Sequence, residues 1–305
     1  MTIEKSLTDI ADEDKPLRST QLADLTGLDD SELREFARVW PSVPVERRRQ
    51  ILEQLSALAE DNVEFDFDAV FTEALADPDA GVRLGAIRGL WEHTGRELIP
   101  RLVELLQRDD NAAVRAEAAL ALGRWVMLGE FEEARPRDVE EVNAALRRAA
   151  TDPTEPPEVR GRAVESLGAS SQPWARDLIH DAYDSDDPRM TASAVHAMGR
   201  SADPYWLQTV IDELQSDDAE MRYEAAIACG MIESEDAVPY LIDALDDTDA
   251  EVREQVIASL GEIGGEEAIE ALRERANSPD ERTREAAIAA LEQAEFGDDP
   301  LGLQG

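Results

Sequence analysis

The chain has 305 residues, 69 of them acidic and 30 basic, for a formal net charge of −39. At 43% hydrophobic but only 5% aromatic it has material for a large core, yet not the aromatic and β-branched enrichment of a sandwich or barrel, so an all-α fold is expected. A duplex with one phosphate per about 1.7 Å of axis would be repelled by this charge, so nucleic acid is not an expected partner.

The first stretch, MTIEKSLTDIADEDKPLRST, is polar and has no apolar run of signal-peptide length; residues 1–20 are expected to form a disordered tail. No segment of the chain approaches the ~20 apolar residues of a membrane span. The expectation is a cytoplasmic protein that does not engage a membrane. Residues 21–63, with SELREFARVWPSVPVERRRQILEQLSALAE, have helical periodicity and predict a helical N-terminal cap.

From 64 to 295 one phrase recurs, as in DAEMRYEAAIACGMIE and DAEVREQVIASLGEIG. Aligned on its "VR", the phrase places Arg83, Arg115, Arg160, Thr191, Arg222, Arg253 and Arg284 at one position, and the last four intervals are each 31 residues. A fixed interval of this size is a solenoid period. Three residues on stands a small residue in six of seven copies (Ala86, Ala118, Ala163, Ala194, Ala225, Val256, Ala287), and seven on stand Leu90, Leu122, Leu167, Met198, Cys229, Leu260 and Leu291. These offsets trace one helical face. Eight residues after the anchor, Gly123, Gly168, Gly199, Gly230 and Gly261 suit either the end of a helix or a tight helix contact. Six residues before it, Asp77, Asp109, Thr154, Ser185, Ser216, Asp247 and Ser278 are each able to accept a hydrogen bond from a helix N-terminus. Because an amphipathic segment precedes each phrase, each unit reads as a helical hairpin that must stack on its neighbours. The predicted fold is therefore a right-handed α-solenoid of about seven hairpins. Between Arg115 and Arg160 the interval lengthens to 45 residues, which predicts an insertion within 124–157: a lengthened helix through Trp125, Met127 and Leu128, then a loop around Pro136. The tail, residues 296–305, is expected to be disordered.

The pattern D-x-x-x-x-V-R-x-x-A-x-x-x-L-G resembles the HEAT-like repeat family, particularly the short form of phycobilisome-lyase-like proteins, over about residues 64 to 295. The resemblance implies an armadillo-type superhelix in which the Asp and Arg of the pattern form a structural ladder between repeats. Carried to this chain, that role falls on Asp77 with Arg83, Asp109 with Arg115, and Asp247 with Arg253. Arg160, Arg222 and Arg284 hold the same place in other repeats, and where Ser or Thr replaces Asp, or Thr191 replaces Arg, the pattern departs from the family's.

Motifs of catalysis are not found. His93, His180 and His196 stand in different repeats without metal-ligand spacing, and the His-Glu pairs that the resembling deoxyhypusine hydroxylases require are missing. No phosphate-binding glycine loop and no G-x-S-x-G occurs. Cys229, the one cysteine, excludes an intramolecular disulfide and is expected in the core. Trp91, Trp125, Trp174, Trp206 and Tyr205 have the chemistry to stack on a tetrapyrrole, as in bilin lyases, but are scattered. No catalytic, metal or cofactor residues are expected.

Residues 81–200 carry 16 basic and 21 acidic groups, whereas 201–305 carry 6 and 28. The middle is thus nearly balanced. Positions pointing away from the core along the VR helices gather Arg88, Leu120, Arg124, Arg162, Arg189, His196, Arg200, Ile227 and Met231, with Tyr223 at their edge. These are the expected lining of a concave face that receives a protein segment bearing carboxylates and an apolar anchor, unless each arginine merely pairs with a neighbouring glutamate. The expected function is a non-catalytic interaction scaffold. The alternative is a phycobilisome-lyase-like protein acting on or chaperoning a chromophore-bearing protein.

Overall fold

The computed structural model describes residues 3–12 and 14–298, and among them there is no strand. In chain order the helices are α1 (Ile3–Ala11), α2 (Ser19–Leu22), α3 (Asp30–Val39), α4 (Val45–Asp61), α5 (Asp68–Ala74), α6 (Ala80–Gly89), α7 (Leu98–Arg108), α8 (Ala112–Glu130) and α9 (Pro136–Thr151). They continue as α10 (Pro157–Leu167), α11 (Pro173–Tyr183), α12 (Pro188–Arg200), α13 (Leu207–Glu213), α14 (Ala219–Ile232), α15 (Val238–Ala244), α16 (Ala250–Ile263), α17 (Glu266–Arg275) and α18 (Glu281–Asp298). Two compact units result, one of Met1–Gly129 with Ala134–Val159, the other of Glu130–Glu133 with Arg160–Gly305.

In the first unit α3/α4, α5/α6 and α7/α8 are hairpins; in the second, α11/α12, α13/α14, α15/α16 and α17/α18 are. The second helix of each, α4 excepted, and likewise α10 carry the recurring phrase. Its residues at −1, +3, +4 and +7 are inaccessible in nearly every copy, as with Val114, Ala118, Ala119 and Leu122 in α8. Cys229 at the +7 place of α14 is likewise buried, and burial pushes its thiol up to about 12.

Helix starts differ from the expected scheme in a regular way. The capping side chain is four residues before the anchor, not six: Asp79 accepts from the Val82 N–H, Asn111 from Ala113 and Val114, and Asp249 from Glu251 and Val252. The residue at −6 instead accepts the backbone N–H of the capping residue itself, whether it is Asp77, Asp109 or Asp247 or the hydroxyls of Ser185, Ser216 and Ser278. An acceptor two residues before the cap closes a local side-chain turn, and a hydroxyl does this as a carboxylate does.

The arginine ladder shows the same displacement. Arg83, Arg115, Arg222, Arg253 and Arg284 each donate Nη1 to the backbone carbonyl six residues earlier, at 2.7–3.2 Å, so Asp77 with Arg83 and Asp109 with Arg115 are joined through a carbonyl and not a carboxylate. The remaining donors reach the next repeat. Arg83 grips Asp109 at 2.7 and 2.8 Å, Arg222 grips Asp247 at 2.6 and 2.8 Å, and Arg115 meets Glu155 at 2.9 Å. Thr191 keeps only the local half of this arrangement, its hydroxyl donating to the Ser185 and Asp187 carbonyls.

Three segments depart from expectation, at the two ends and in the middle. Residues expected as a disordered tail carry α1, whose Leu7 and Ile10 are buried, and Arg47 of α4 donates to the carbonyls of Ile10, Asp12 and Lys15. The cap segment also holds a further rung: buried Arg48 pairs with Asp77, which accepts from the Trp40 indole as well. In the insertion α8 does run long, through Trp125 and Met127 to Glu130, but Pro136 opens α9, where its fixed φ and missing N–H suit the first turn. Of the predicted disordered residues at the C-terminus, 296–298 lie in α18 and 299–305 fall outside the described residues.

Candidate functional site

The candidate residues fall in both units, and each set is described within its own. In the first unit Arg88, at the end of α6, forms a 2.9 Å ion pair with Glu117 of α8. Arg124 does not project outward. Its guanidinium turns back to the carbonyls of Leu90 and Trp91 just beyond α6, with Nε on the Ala121 carbonyl, and lies 5.1 Å from the centre of the Trp125 ring. It thereby adds a side-chain donor to carbonyls just past a helix end, of which that of Leu90 also accepts the His93 N–H. Burial lowers its pKa to about 10, against the opposing pull of Asp68. Leu120 is half-buried on the same helix.

In the second unit the outward positions of α10, α12 and α14 hold the other seven. Arg162 forms a 2.7 Å ion pair with Glu165, which is buried and also accepts from the Ser193 hydroxyl at 2.7 Å. His196 of α12 meets Glu224 of α14 through Nδ1 at 2.9 Å. Arg200, one turn on from His196, is held below the ordinary arginine pKa by burial, opposed by the charge of Glu165, yet makes no ion pair among the described residues. Arg189, at the start of α12, is exposed. On α14 Tyr223 and Ile227 are half-buried and Met231 is 37% exposed, so an apolar strip runs along a helix whose other faces are covered.

Glu165, Ser193 and Glu224 stand beside these residues at the same outward offsets on α10, α12 and α14. The aromatic residues considered for stacking separate by environment: Trp125 and Trp206 are buried, while Trp91 and Tyr205 are 60% and 54% exposed. Among the described residues no His, Cys, Asp or Glu are grouped three together as a metal site, and no helix is long and apolar enough to cross a membrane.

A family model described as HEAT repeats matches residues 69–156 and 207–292. No curated protein gives a significant sequence match. Among solved structures, the chain is similar to the complex of CpcE and CpcF of phycocyanin lyase from Nostoc sp., at 18% identity over 75% of this chain and 91% of that one, with a TM-score of 0.53. Human deoxyhypusine hydroxylase aligns at 20% identity over 96% and 97% of the two chains, with a TM-score of 0.38. Yeast importin-β aligns at 16% identity over 96% and 41%, with a TM-score of 0.43.

Proposed function

The chain belongs to the HEAT-repeat family, and on that footing we propose that it is a non-catalytic scaffold that holds a polypeptide partner against the second helices of its second unit. The observation that carries this reading is the strip of Tyr223, Ile227 and Met231 left open on α14, beside a largely buried Arg200 without an ion pair among the described residues. A desolvated guanidinium of this kind gains more from an incoming carboxylate than a solvated one, because its own dehydration has already been met by folding. The strip supplies apolar area beside it. A partner presenting a carboxylate next to an apolar side chain fits both.

On this reading two of the five arginines serve the purpose. Arg88 and Arg162 have carboxylates of their own, and Arg124 is committed to the end of α6, which leaves Arg189 and Arg200. Panning a displayed library of short random peptides on the full chain tests the reading. Peptides rich in Asp or Glu beside Leu, Met or Phe should be retained by the wild type and lost from both Arg200→Glu and Ile227→Asp. Retention by both variants would move the site elsewhere, and a visible chromophore copurifying with the protein would favour action on a chromophore-bearing protein.

A further inference from the structure

A second surface in the second unit has the opposite chemistry. Where the chain enters α13, α15 and α17, three successive helix starts enclose a cleft of about 750 Å³. Buried Ile211, Val238 and Ala268 form its floor. Tyr205 and Tyr240 stand in it 54% and 44% exposed, and Glu235, Asp236, Glu266 and Glu267 edge it, with no lysine or arginine among the lining residues. The space owes its shape to Gly264 and Gly265, whose φ values of +68° and +83° turn the chain sharply between α16 and α17. Glu235 lies 3.6 Å from where a β-carbon on Gly265 would stand, an ordinary contact, so the positive φ and not crowding calls for glycine there.

Acidic residues are ordinary in a first helical turn, where they face the positive end of the helix dipole. The amounts decide against that as a full account. Three helix starts supply roughly half a charge each, while the four carboxylates make no ion pair and no side-chain hydrogen bond among the described residues. Arg176, which lies against Tyr205, is taken up by Asp203, and its guanidinium lies 4.4 Å from the centre of the Tyr205 ring. One ring bordering the cleft thus already serves as a guanidinium platform.

We propose that this cleft is a docking site for an arginine-bearing basic segment of a partner protein, the guanidinium stacking on Tyr240 and the exposed part of Tyr205 while Glu235, Asp236, Glu266 and Glu267 receive its charge. Planar guanidinium suits both an aromatic face and paired carboxylates, which a compact ammonium does not. The apolar floor takes the methylene stem. This site is independent of the Arg200 surface, and it makes the protein a bridge between a carboxylate-bearing partner and a basic one.

The test is binding of a fluorescent arginine-glycine peptide to the full chain, beside its lysine-glycine counterpart and free arginine amide. Tyr240→Ala, which leaves the charge unchanged, should weaken the arginine peptide about tenfold with the salt dependence retained. Glu266→Gln with Glu267→Gln should weaken it and flatten the salt dependence, whereas Glu220→Gln with Glu251→Gln, outside the cleft, should do neither. Arg200→Glu should leave this binding intact, so loss of the first proposal does not take this one with it. Binding unchanged by Tyr240→Ala would show that the chain's overall acidity alone holds the peptide. Equal affinity for the lysine peptide would overturn the guanidinium assignment, and equal affinity for arginine amide would overturn the polypeptide one.

Discussion

The two units use the same repeat but hold their hairpins together differently. In the first, each ladder arginine finds a carboxylate from further along the chain: Arg48 on Asp77, Arg83 on Asp109, Arg115 on Glu155. In the second, Arg222 and Asp247 make such a rung, whereas Arg253 and Arg284 reach their own loop carbonyls and Thr191 has no guanidinium to offer. What the second unit has in exchange is close backbone approach. A β-carbon on Gly168 would lie 2.7 Å from the Ala197 carbonyl oxygen, one on Gly199 2.6 Å from the Ala228 Cα, and one on Gly261 2.8 Å from the Ala290 Cβ. In the first unit that offset holds exposed Trp91 after Arg83 and buried Gly123 after Arg115. Polar rungs and a glycine seam are thus two ways of fixing one helix against the next, the first unit relying more on rungs and the second more on the seam, while the Arg222 repeat, with Gly230, has both.

Removing a rung should give the largest effect. Asp109→Ala strips both hydrogen bonds from Arg83, in a pair where the carboxylate side chain is only 4% exposed, and should lower stability by about 3 kcal/mol in urea unfolding. Ser216→Ala, at the matching place in the second unit, loses one long hydrogen bond to the Asp218 N–H and should stay within about 1 kcal/mol of wild type. Equal losses at the two positions would mean that the rungs contribute nothing beyond their local turns.

The seam makes the next prediction, and its sign carries the information. Glycine to alanine inside a helix ordinarily stabilises by up to about 1 kcal/mol. Gly85→Ala in α6 should behave so, because its β-carbon would stand 3.5 Å from Leu52, an ordinary contact. Gly199→Ala should instead cost about 2 kcal/mol by forcing α12 from α14. Cys229, buried on α14, reports the difference: its alkylation requires opening, so it should quicken roughly thirtyfold in Gly199→Ala and not in Gly85→Ala. Stabilisation by both alanines would abolish the contrast between the units.

The seam was legible in the sequence because glycine at +8 recurs with the period one turn beyond the buried +4 position, which puts the two on one helical face. The ladder's partners were not. A repeat places an arginine and an aspartate six residues apart, but only the stacked structure decides that the guanidinium takes its own loop's carbonyl and the following loop's carboxylate. Arg48 escaped notice because Ile51 and Ser56 stand where the phrase has a small residue and glycine, although Ile51, Leu52 and Leu55 keep the apolar offsets. Arg124 was assigned to a binding face by its offset, whereas the carbonyls of Leu90 and Trp91 beyond α6, brought beside it only in three dimensions, draw it inward. Nor does a polar stretch such as residues 3–11 announce a helix; α1 has its place because Arg47, distant in sequence, receives the carbonyls that follow it.

The smallest effect concerns a charged contact peculiar to the first unit. His93 bridges Asp68 of α5 at Nδ1 and Glu97 at Nε2. Burial alone would lower its pKa, but the hydrogen bonds to Glu97 and Asp68 and their charges outweigh it, and the pKa stands above the ordinary 6.5. A raised pKa means that the folded state binds the proton more tightly, so the pairing stabilises fully below pH 6.5 and loses its effect as the pH rises through the folded value. Asp247, whose pKa the Arg222 hydrogen bond lowers, has the opposite sense: its contribution is present above 3.8 and fades as acid protonates the rung. His93→Gln should therefore cost the protein about 0.5 kcal/mol near pH 5.5, discounted for partial exposure, and almost nothing near pH 9. Asp247→Asn should do its damage at neutral pH and lose it in acid. If the His93→Gln deficit instead grew with rising pH, the histidine would be acting in its neutral form, as a packed ring and not as a cation between two carboxylates.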